Sequence, residues 1–360
     1  MAYTTIKKPS DYFNTKLYTG NGATSAAGTL ARTITGVGFQ PDFTWLKSRT
    51  SGGYETHGLH DVVRGATKWL GSDRTNVESD VTTDFGSGGL GSFTSDGFDI
   101  YSGTSSDTGN YNNSGTDYVA WNWLASNTTA SNTDGSITSN VSANTTSGFS
   151  IVSYTGTGAN ATVGHGLGVA PKFIIVKNRT TATSWGVQTS TGAGFEMNLN
   201  NTEAQTATSV YWNSTDPTSS VFSVGTNAAT NNSGDNYIAY CFAEVKGFSK
   251  FGSYTGNGNA DGTFVYTGFK PAMVIIKNTT TAGTNWNIHD SARDTDNPVE
   301  KYLHPNTADA EPTTIRDIDF LSNGFKPRTG NSTWNGSGDS YIYMAFAEEP
   351  LVGDNPCTAR

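Results

Sequence analysis

The chain has 360 residues, of which 15% are charged and 34% hydrophobic, with 42 glycines. Leu, Lys and Glu are thin while Ser, Thr, Asn, Gly and aromatic residues are plentiful, which excludes a helical protein and points to short strands joined by polar connections. A net charge of −9, from 22 basic and 31 acidic residues, excludes a broad nucleic-acid surface, and no apolar run is long enough for a transmembrane helix.

The start, "MAYTTIKKPSDYF", has no apolar core of the kind that a secretory signal needs, so no export by that route is expected. The pentapeptide "YTGNG" follows at Tyr18–Gly22, reads "YTGTG" at Tyr154–Gly158, and returns as "YTGNG" at Tyr254–Gly258. A second box follows each time: "GFQPDFTWLK" (Gly38–Lys47), "GVAPKFIIVK" (Gly168–Lys177) and "GFKPAMVIIK" (Gly268–Lys277). A third closes each stretch: "SGTDYVAWNWLA" (Ser114–Ala125), "SGDNYIAYCFAE" (Ser233–Glu244) and "SGDSYIYMAFAE" (Ser337–Glu348). The order is kept three times, and each stretch has about the length of a small domain, so internal repetition is the first inference.

The second box reads as a strand that starts at Pro41, Pro171 and Pro271, because proline cannot donate to a ladder. Its nearly continuous apolar run suits a strand covered on both faces. The third box alternates with a period of two, the pattern of a half-buried strand. "SFTSDGFDIY", "SSVFSVGTN" and "DFLSNGFKP" occupy equivalent places before it. The expected fold is all-β: three tandem antiparallel β-sandwich domains of jelly-roll or lectin-like type, each with about seven or eight strands. The divisions are an N-terminal arm with the first sandwich over residues 1–125, a polar low-complexity linker over 126–147, further sandwiches over 148–246 and 247–350, and a tail over 351–360. Cys241 reads as a small buried hydrophobe and Cys357 lies in the tail, so no disulfide framework is expected.

"LHDVVRG" and "IHDSARD" share His-Asp-x-x-Arg, pairing His60, Asp61 and Arg64 with His289, Asp290 and Arg293. Such a cluster fits either acid–base or sugar-binding chemistry, or an Asp–Arg clip that pins a turn. The clip is the reading adopted, because the middle stretch lacks all three residues. The five histidines have no cysteine or acidic cluster at ligand spacing, so no metal is expected. No nucleophile elbow is present and the glycine-rich runs open no helix, so neither nucleophilic catalysis nor a bound cofactor is expected. Trp185 and Trp286 hold equivalent places and read as core or as ligand-stacking rings, while Trp334, in the polar stretch "GNSTWNGSGD", is the candidate for an exposed ring on a sugar.

Together, "MAYTTIKKPSDYFNTKLYTGNG", "LHDVVRGATKWL", "YVAWNWLA" and "MAFAEEPLVGDNPCTAR" resemble the tandem-repeat, tail-fibre-like or lectin-like virion proteins of marine tailed bacteriophages, cyanophages included. The resemblance covers nearly the whole chain. It implies a non-enzymatic structural protein that assembles in the host cytoplasm and is displayed on the particle, with other tail or capsid proteins as partners. It brings no catalytic residues with it. A host-surface glycan is the expected ligand. The alternatives are a capsid decoration or head-fibre protein and a glycan-degrading tailspike enzyme. A homo-oligomer, with a trimer preferred, is expected because one shallow sugar site binds weakly and linked copies gain avidity. The arm over residues 1–11 is the expected contact between copies.

Overall fold

The computed structural model describes residues 4–50, 56–312 and 318–352. Among these residues strands dominate, with two four-residue helices, Gly109–Asn112 and Ala228–Asn231, and one 3-10 turn at Pro9–Asp11. The all-β expectation holds.

Three large antiparallel sheets carry the boxes. The first runs, in order of pairing, Phe13–Thr19, Asp117–Trp123, Phe43–Ser48, Gly58–Asp61, Gly65–Leu70 and Ser79–Asp80. The second has Phe149–Thr155, Asn236–Phe242, Phe173–Asn178, Gly186–Gln188, Phe195–Asn198 and Thr206–Ala207, preceded at its edge by Ala130–Asn132 and Ser139–Asn144. The third runs Ser249–Thr255, Ser340–Pro350, Phe269–Asn278, Asn287–Asp290 and Tyr302–Leu303. In all three, the third-box strand lies between the pentapeptide strand and the second-box strand. A small sheet faces each large one: Leu30–Thr35, Gly97–Tyr101 and Gly89–Thr94; then Ala161–Gly164 and Val221–Val224; then Val265–Tyr266, Gly324–Pro327 and Ile318–Leu321.

The recurrent pentapeptide has one physical job. Its tyrosines pair directly with the first tyrosine of the third box, Tyr18 with Tyr118, Tyr154 with Tyr237 and Tyr254 with Tyr341. The rings stack with centroids 5.1, 5.1 and 4.8 Å apart. Each pentapeptide tyrosine hydroxyl donates to the carbonyl of Tyr111, Thr230 or Trp334. The following turn is held by an asparagine: Asn112, Asn231 and Asn335 accept from the backbone N–H of Asn21, Thr157 and Asn257. A Cβ on Gly20, Gly156 or Gly256 would lie 2.0 to 2.3 Å from a backbone oxygen of that facing segment, so only glycine permits the approach.

The third-box strand is buried on both faces, where its alternation predicts one. Tyr118 and Ala120 point to a cluster beneath the first small sheet, whereas Val119, Trp121 and Trp123 point the other way. Tyr237, Ala239 and Cys241 divide from Ile238, Tyr240 and Phe242 in the same manner. So do Tyr341, Tyr343 and Ala345 from Ile342, Met344 and Phe346. The second set in each case enters one common core. There Phe13 stacks on Phe346 at 5.0 Å and Phe43 on Tyr240 at 4.3 Å, and Trp123 meets both Phe242 and Phe346. The chain is therefore not a string of three independent sandwiches. Each stretch has its own outer cluster, and all three share the inner one.

Three further expectations are corrected. Residues 126–147 do not form a free linker, because Ser139–Asn144 pairs with Phe149–Thr155 and Ala130–Asn132 pairs with it in turn. Ile137 and Val141 anchor this hairpin in the second outer cluster. The described part of the N-terminal arm packs on its own chain, with Ile6 in the central core and 2% exposed. Pro41 and Pro171 precede their strands, but Pro271 lies inside Phe269–Asn278, at a register shift that accommodates its missing donor. Cys241 is buried; Cys357 and most of the tail, residues 353–360, lie outside the described residues.

A shared core makes one cooperative unit. Scanning calorimetry of the whole chain should give a single transition whose calorimetric and van't Hoff enthalpies agree. Two or three resolved transitions would contradict the common core.

Candidate functional site

His-Asp-x-x-Arg closes the strand Gly58–Asp61 and turns into the next. Asp61 Oδ1 accepts from the backbone N–H of Val63 and Arg64 at 3.0 and 2.8 Å, and Oδ2 accepts from Arg64 Nε. Arg64 also donates to the Leu59 carbonyl at 2.8 Å. Both side chains are completely buried. Asp290 and Arg293 repeat this arrangement, with the Ile288 carbonyl as the third partner at 2.9 Å. The clip reading describes this local geometry.

The clip also reaches across to the neighbouring sheet. Tyr240 of the second sheet donates to Asp61 Oδ2 at 2.8 Å. Trp121 Nε1 of the first sheet donates to Asp290 Oδ2 at 3.0 Å, and the Arg293 guanidinium lies 5.5 Å from the Trp121 ring centre. A glutamate extends each link. Glu78 accepts from Arg64 at 3.2 Å and takes a bidentate pair from Arg179, both bonds at 2.8 Å. Glu311 accepts from Arg293 at 3.2 Å and takes a bidentate pair from Arg49 at 3.0 and 3.1 Å. Burial alone would weaken the Arg64 cation and raise the Glu78 carboxyl. The Asp61 carboxylate, together with Tyr240 and Glu78, more than offsets this for Arg64, and the Arg179 and Arg64 guanidinium groups do so for Glu78, which is held below its ordinary value.

The seam between the second and third sheets has none of these charges. Thr189 and Gly192 stand where Asp and Arg would be, Gln205 replaces the glutamate, and Thr279 and Met344 replace the partners across the seam. The backbone contact survives: Gln205 N–H donates to the Thr279 carbonyl at 3.0 Å, as Glu78 does to Arg179 and Glu311 to Arg49. The sequence showed the loss of the clip in the middle stretch. It also carried an unread signal, the arginine after the second box (Arg49, Arg179) that becomes Thr279 in the third stretch.

Trp185 and Trp286 are closure elements too. Trp185 Nε1 donates across to the Gly71 and Arg74 carbonyls at 2.8 and 3.1 Å, and Trp286 Nε1 to the Asn198 carbonyl at 3.0 Å. His57 completes the set: its Nδ1 accepts from Trp45, so Nε2 carries the proton and donates to the His304 carbonyl at 2.8 Å. The ligand-stacking readings of Trp185, Trp286 and Trp334 are therefore corrected, since all three are at most 3% exposed. Trp334 sits in a polar loop, but its indole turns inward and donates to His289 Nε2 at 2.9 Å. His60 is equally enclosed, with Nδ1 on the Ala66 carbonyl at 2.8 Å. Burial pushes both His60 and His289 down to about 3, so both rings are neutral at ordinary pH.

One of several surface crevices lies on the first stretch, over rings that are themselves mostly buried. It is a crevice of about 120 Å³ lined by Trp69, Phe85 and Tyr111 with Thr56, Arg74, Asn76, Ser79 and Asn110. Trp69 meets Phe85 edge-on at 5.2 Å and donates to the Tyr111 hydroxyl at 3.1 Å. Two glycines make room for the rings. A Cβ on Gly58 would collide with the Tyr111 hydroxyl, and one on Gly71 would come within 2.9 Å of the Trp69 ring. Sequence reading missed this site because its residues come from three separate segments.

A family model described as a domain of unknown function, DUF7483, matches residues 8–350. The chain belongs to this family. No curated protein and no solved structure matches it significantly. The match spans all three sheets, in keeping with a body whose core is common to them.

Two outcomes follow from the seams. Asp61→Ala should cost about 3–5 kcal/mol in urea denaturation, because it strands the Arg64 cation in the interior. Thr189→Ala, at the uncharged seam, should cost less than about 1 kcal/mol. Equal effects would contradict the assigned roles.

Acid should also unfold the protein early. All five histidines are lowered, burial being the first cause for each. The unfolded chain therefore binds more protons as pH falls below 6.5, and stability falls with it. Glu78 adds loss of the same sign below the carboxylate range. Asp42, which burial raises to about 6, opposes them, since its folded form takes up a proton first. Burial also raises Asp73, Glu196 and Glu349, so four carboxyls oppose five histidines. The histidines carry the larger shifts, so the Tm should drop between pH 6.5 and 4.5. A flat profile would contradict the burial of neutral histidines.

Proposed function

We propose that this chain is a non-enzymatic structural protein of a phage particle, carried on the virion surface and contributing to contact with host-surface glycans. The observation that carries this reading is where the chemically suggestive residues are used. His60, Asp61, Arg64, His289, Asp290 and Arg293 are all buried, and their hydrogen bonds hold turns and seams together. The three recurrent stretches are read as copies of one unit assembled into a single body. Such a body suits a surface component that has to survive outside a cell.

The resemblance of the boxes to tail-fibre-like and lectin-like virion proteins supports the phage assignment. Assembly as a trimer would multiply weak glycan contacts. Placement on the tail is preferred to a capsid decoration role because the boxes resemble those of tail-fibre-like proteins.

Gold-labelled antibody against the chain, applied to purified virions, tests the reading. Label is expected on tail appendages. Label spread over the head would favour the decoration role, and a protein absent from purified particles would overturn the proposal. Light scattering of the isolated protein should give three times the chain mass.

A further inference from the structure

We propose that the cleft between the second and third stretches is a binding site for a neutral pyranose, the terminal sugar of a glycan. The inference deepens the attachment reading and rests on it for the source of the sugar.

The cleft opens at the seam that carries no Asp–Arg–Glu–Arg link. The third stretch gives it Ser253, Thr255, Thr279, Thr280 and Ser340, and the second gives Thr191, Phe195 and Gln205. No lining residue is charged. Its volume is about 720 Å³, inside the range of about 300–1,000 Å³ for small-molecule sites.

The corresponding cleft between the third and first stretches shows what has been replaced. It is smaller, about 310 Å³, and Arg49, Asp117, Lys301 and Glu311 line it. By strand pairing and backbone contact, Thr279 stands for Arg49, Ser340 for Asp117, Phe195 for Lys301 and Gln205 for Glu311. Loss of the seam link accounts for the arginine and the glutamate. Asp117 and Lys301 are not members of that link, since Asp117 accepts from the Thr19 hydroxyl and Lys301 donates to the Arg293 carbonyl. All four charges of one cleft are therefore absent from the other, two of them for a reason that the seam itself does not supply. A cleft without charge suits a neutral ligand and disfavours an ionic one, whose desolvation would go uncompensated.

Phe195 carries the most weight. It is 38% exposed, at a position where the other two stretches have Lys68 and Lys301. An open phenyl ring brings a large apolar area to a contact, and the face of a pyranose that carries axial hydrogens is apolar. The polar groups around the ring suit hydroxyls. Gln205 Nε2 donates to Thr191 Oγ1 at 2.9 Å, which leaves Oε1 as an acceptor. The Thr280 hydroxyl accepts from the Ser340 N–H at 2.9 Å, which leaves its own proton to donate. Ser253, Thr255, Thr280 and Ser340 are all exposed. An accessible ring beside a few polar groups of both kinds is the usual make-up of a small-molecule site.

The test is saturation-transfer NMR of the full chain with the methyl glycosides of glucose, galactose, mannose and N-acetylglucosamine, each at about 10 mM, in the range of weak single-site binding. At least one should bind. Phe195→Ala and Ser340→Asp, both at exposed positions, should each weaken that binding at least fivefold without changing the Tm. Lys68→Ala, at the position equivalent to Phe195 in the first stretch, should leave it unchanged. Absence of binding by all four glycosides would overturn the proposal. So would binding that Phe195→Ala and Ser340→Asp leave intact, or that Lys68→Ala weakens equally. A parallel assay of labelled protein on host cells separates the two readings. Adhesion without glycoside binding, unaltered by Phe195→Ala, rejects the cleft and keeps attachment. Glycoside binding lost in Phe195→Ala, without adhesion of the parent chain to cells, keeps the cleft and rejects attachment.

Discussion

Each large sheet is apolar on both faces, and its own small sheet can cover only one of them. The other face must be buried elsewhere, and the two remaining large sheets bury it. This requirement sets the architecture. Trp121, Trp123, Phe242 and Phe346 come from three distant parts of the chain and fill one core. No stretch could be removed without exposing that face, and hydrophobic burial on this scale is the dominant favourable term in folding. The recurrent pentapeptide serves the same end from outside, because its tyrosine and glycines fix the strand that carries each outer cluster.

Where three sheets meet, their edges must be closed, and the protein closes them in two ways. Aromatic or imidazole N–H groups of His57, Trp185 and Trp286 cross all three seams to a backbone carbonyl. Buried Asp–Arg–Glu–Arg links cross only two. The third seam has lost both sides of the link together, the clip on one sheet and the arginine on the next. A buried carboxylate without its guanidinium would be worse than no charge at all, so the paired loss is the outcome that electrostatics favours. The same burial puts His60, Asp61, Arg64, His289, Asp290 and Arg293 out of reach of solvent.

Much of the fold is legible in the chain. Period-two alternation in Tyr118–Trp123, Tyr237–Phe242 and Tyr341–Phe346 assigns each residue to the correct face, because a strand has only two. What covers the second face is not legible, since alternation carries no information about which sheet lies opposite; hence half-buried strands were expected where both faces are covered. The Ser/Thr/Asn-rich segment 126–147 reads as a linker by composition. Its Ile137 and Val141 are spaced for a strand, and two such anchors sufficed for an edge hairpin. Trp334 misleads for a related reason: a polar, glycine-rich loop can still turn one indole inward when a histidine acceptor waits beneath it. The crevice was hidden because Trp69, Phe85 and Tyr111 meet only in three dimensions.

The account stands or falls on energetic coupling between parts of the chain that are remote in sequence. Arg49 and Glu311 belong to the first and third stretches and form a bidentate, largely buried pair. A double-mutant cycle of Arg49→Met and Glu311→Gln, read by urea denaturation, measures their interaction directly. A coupling energy of about 1 kcal/mol or more is the predicted result. Effects that add within about 0.3 kcal/mol would mean that the two stretches do not share a closed seam, and would contradict the single-body architecture.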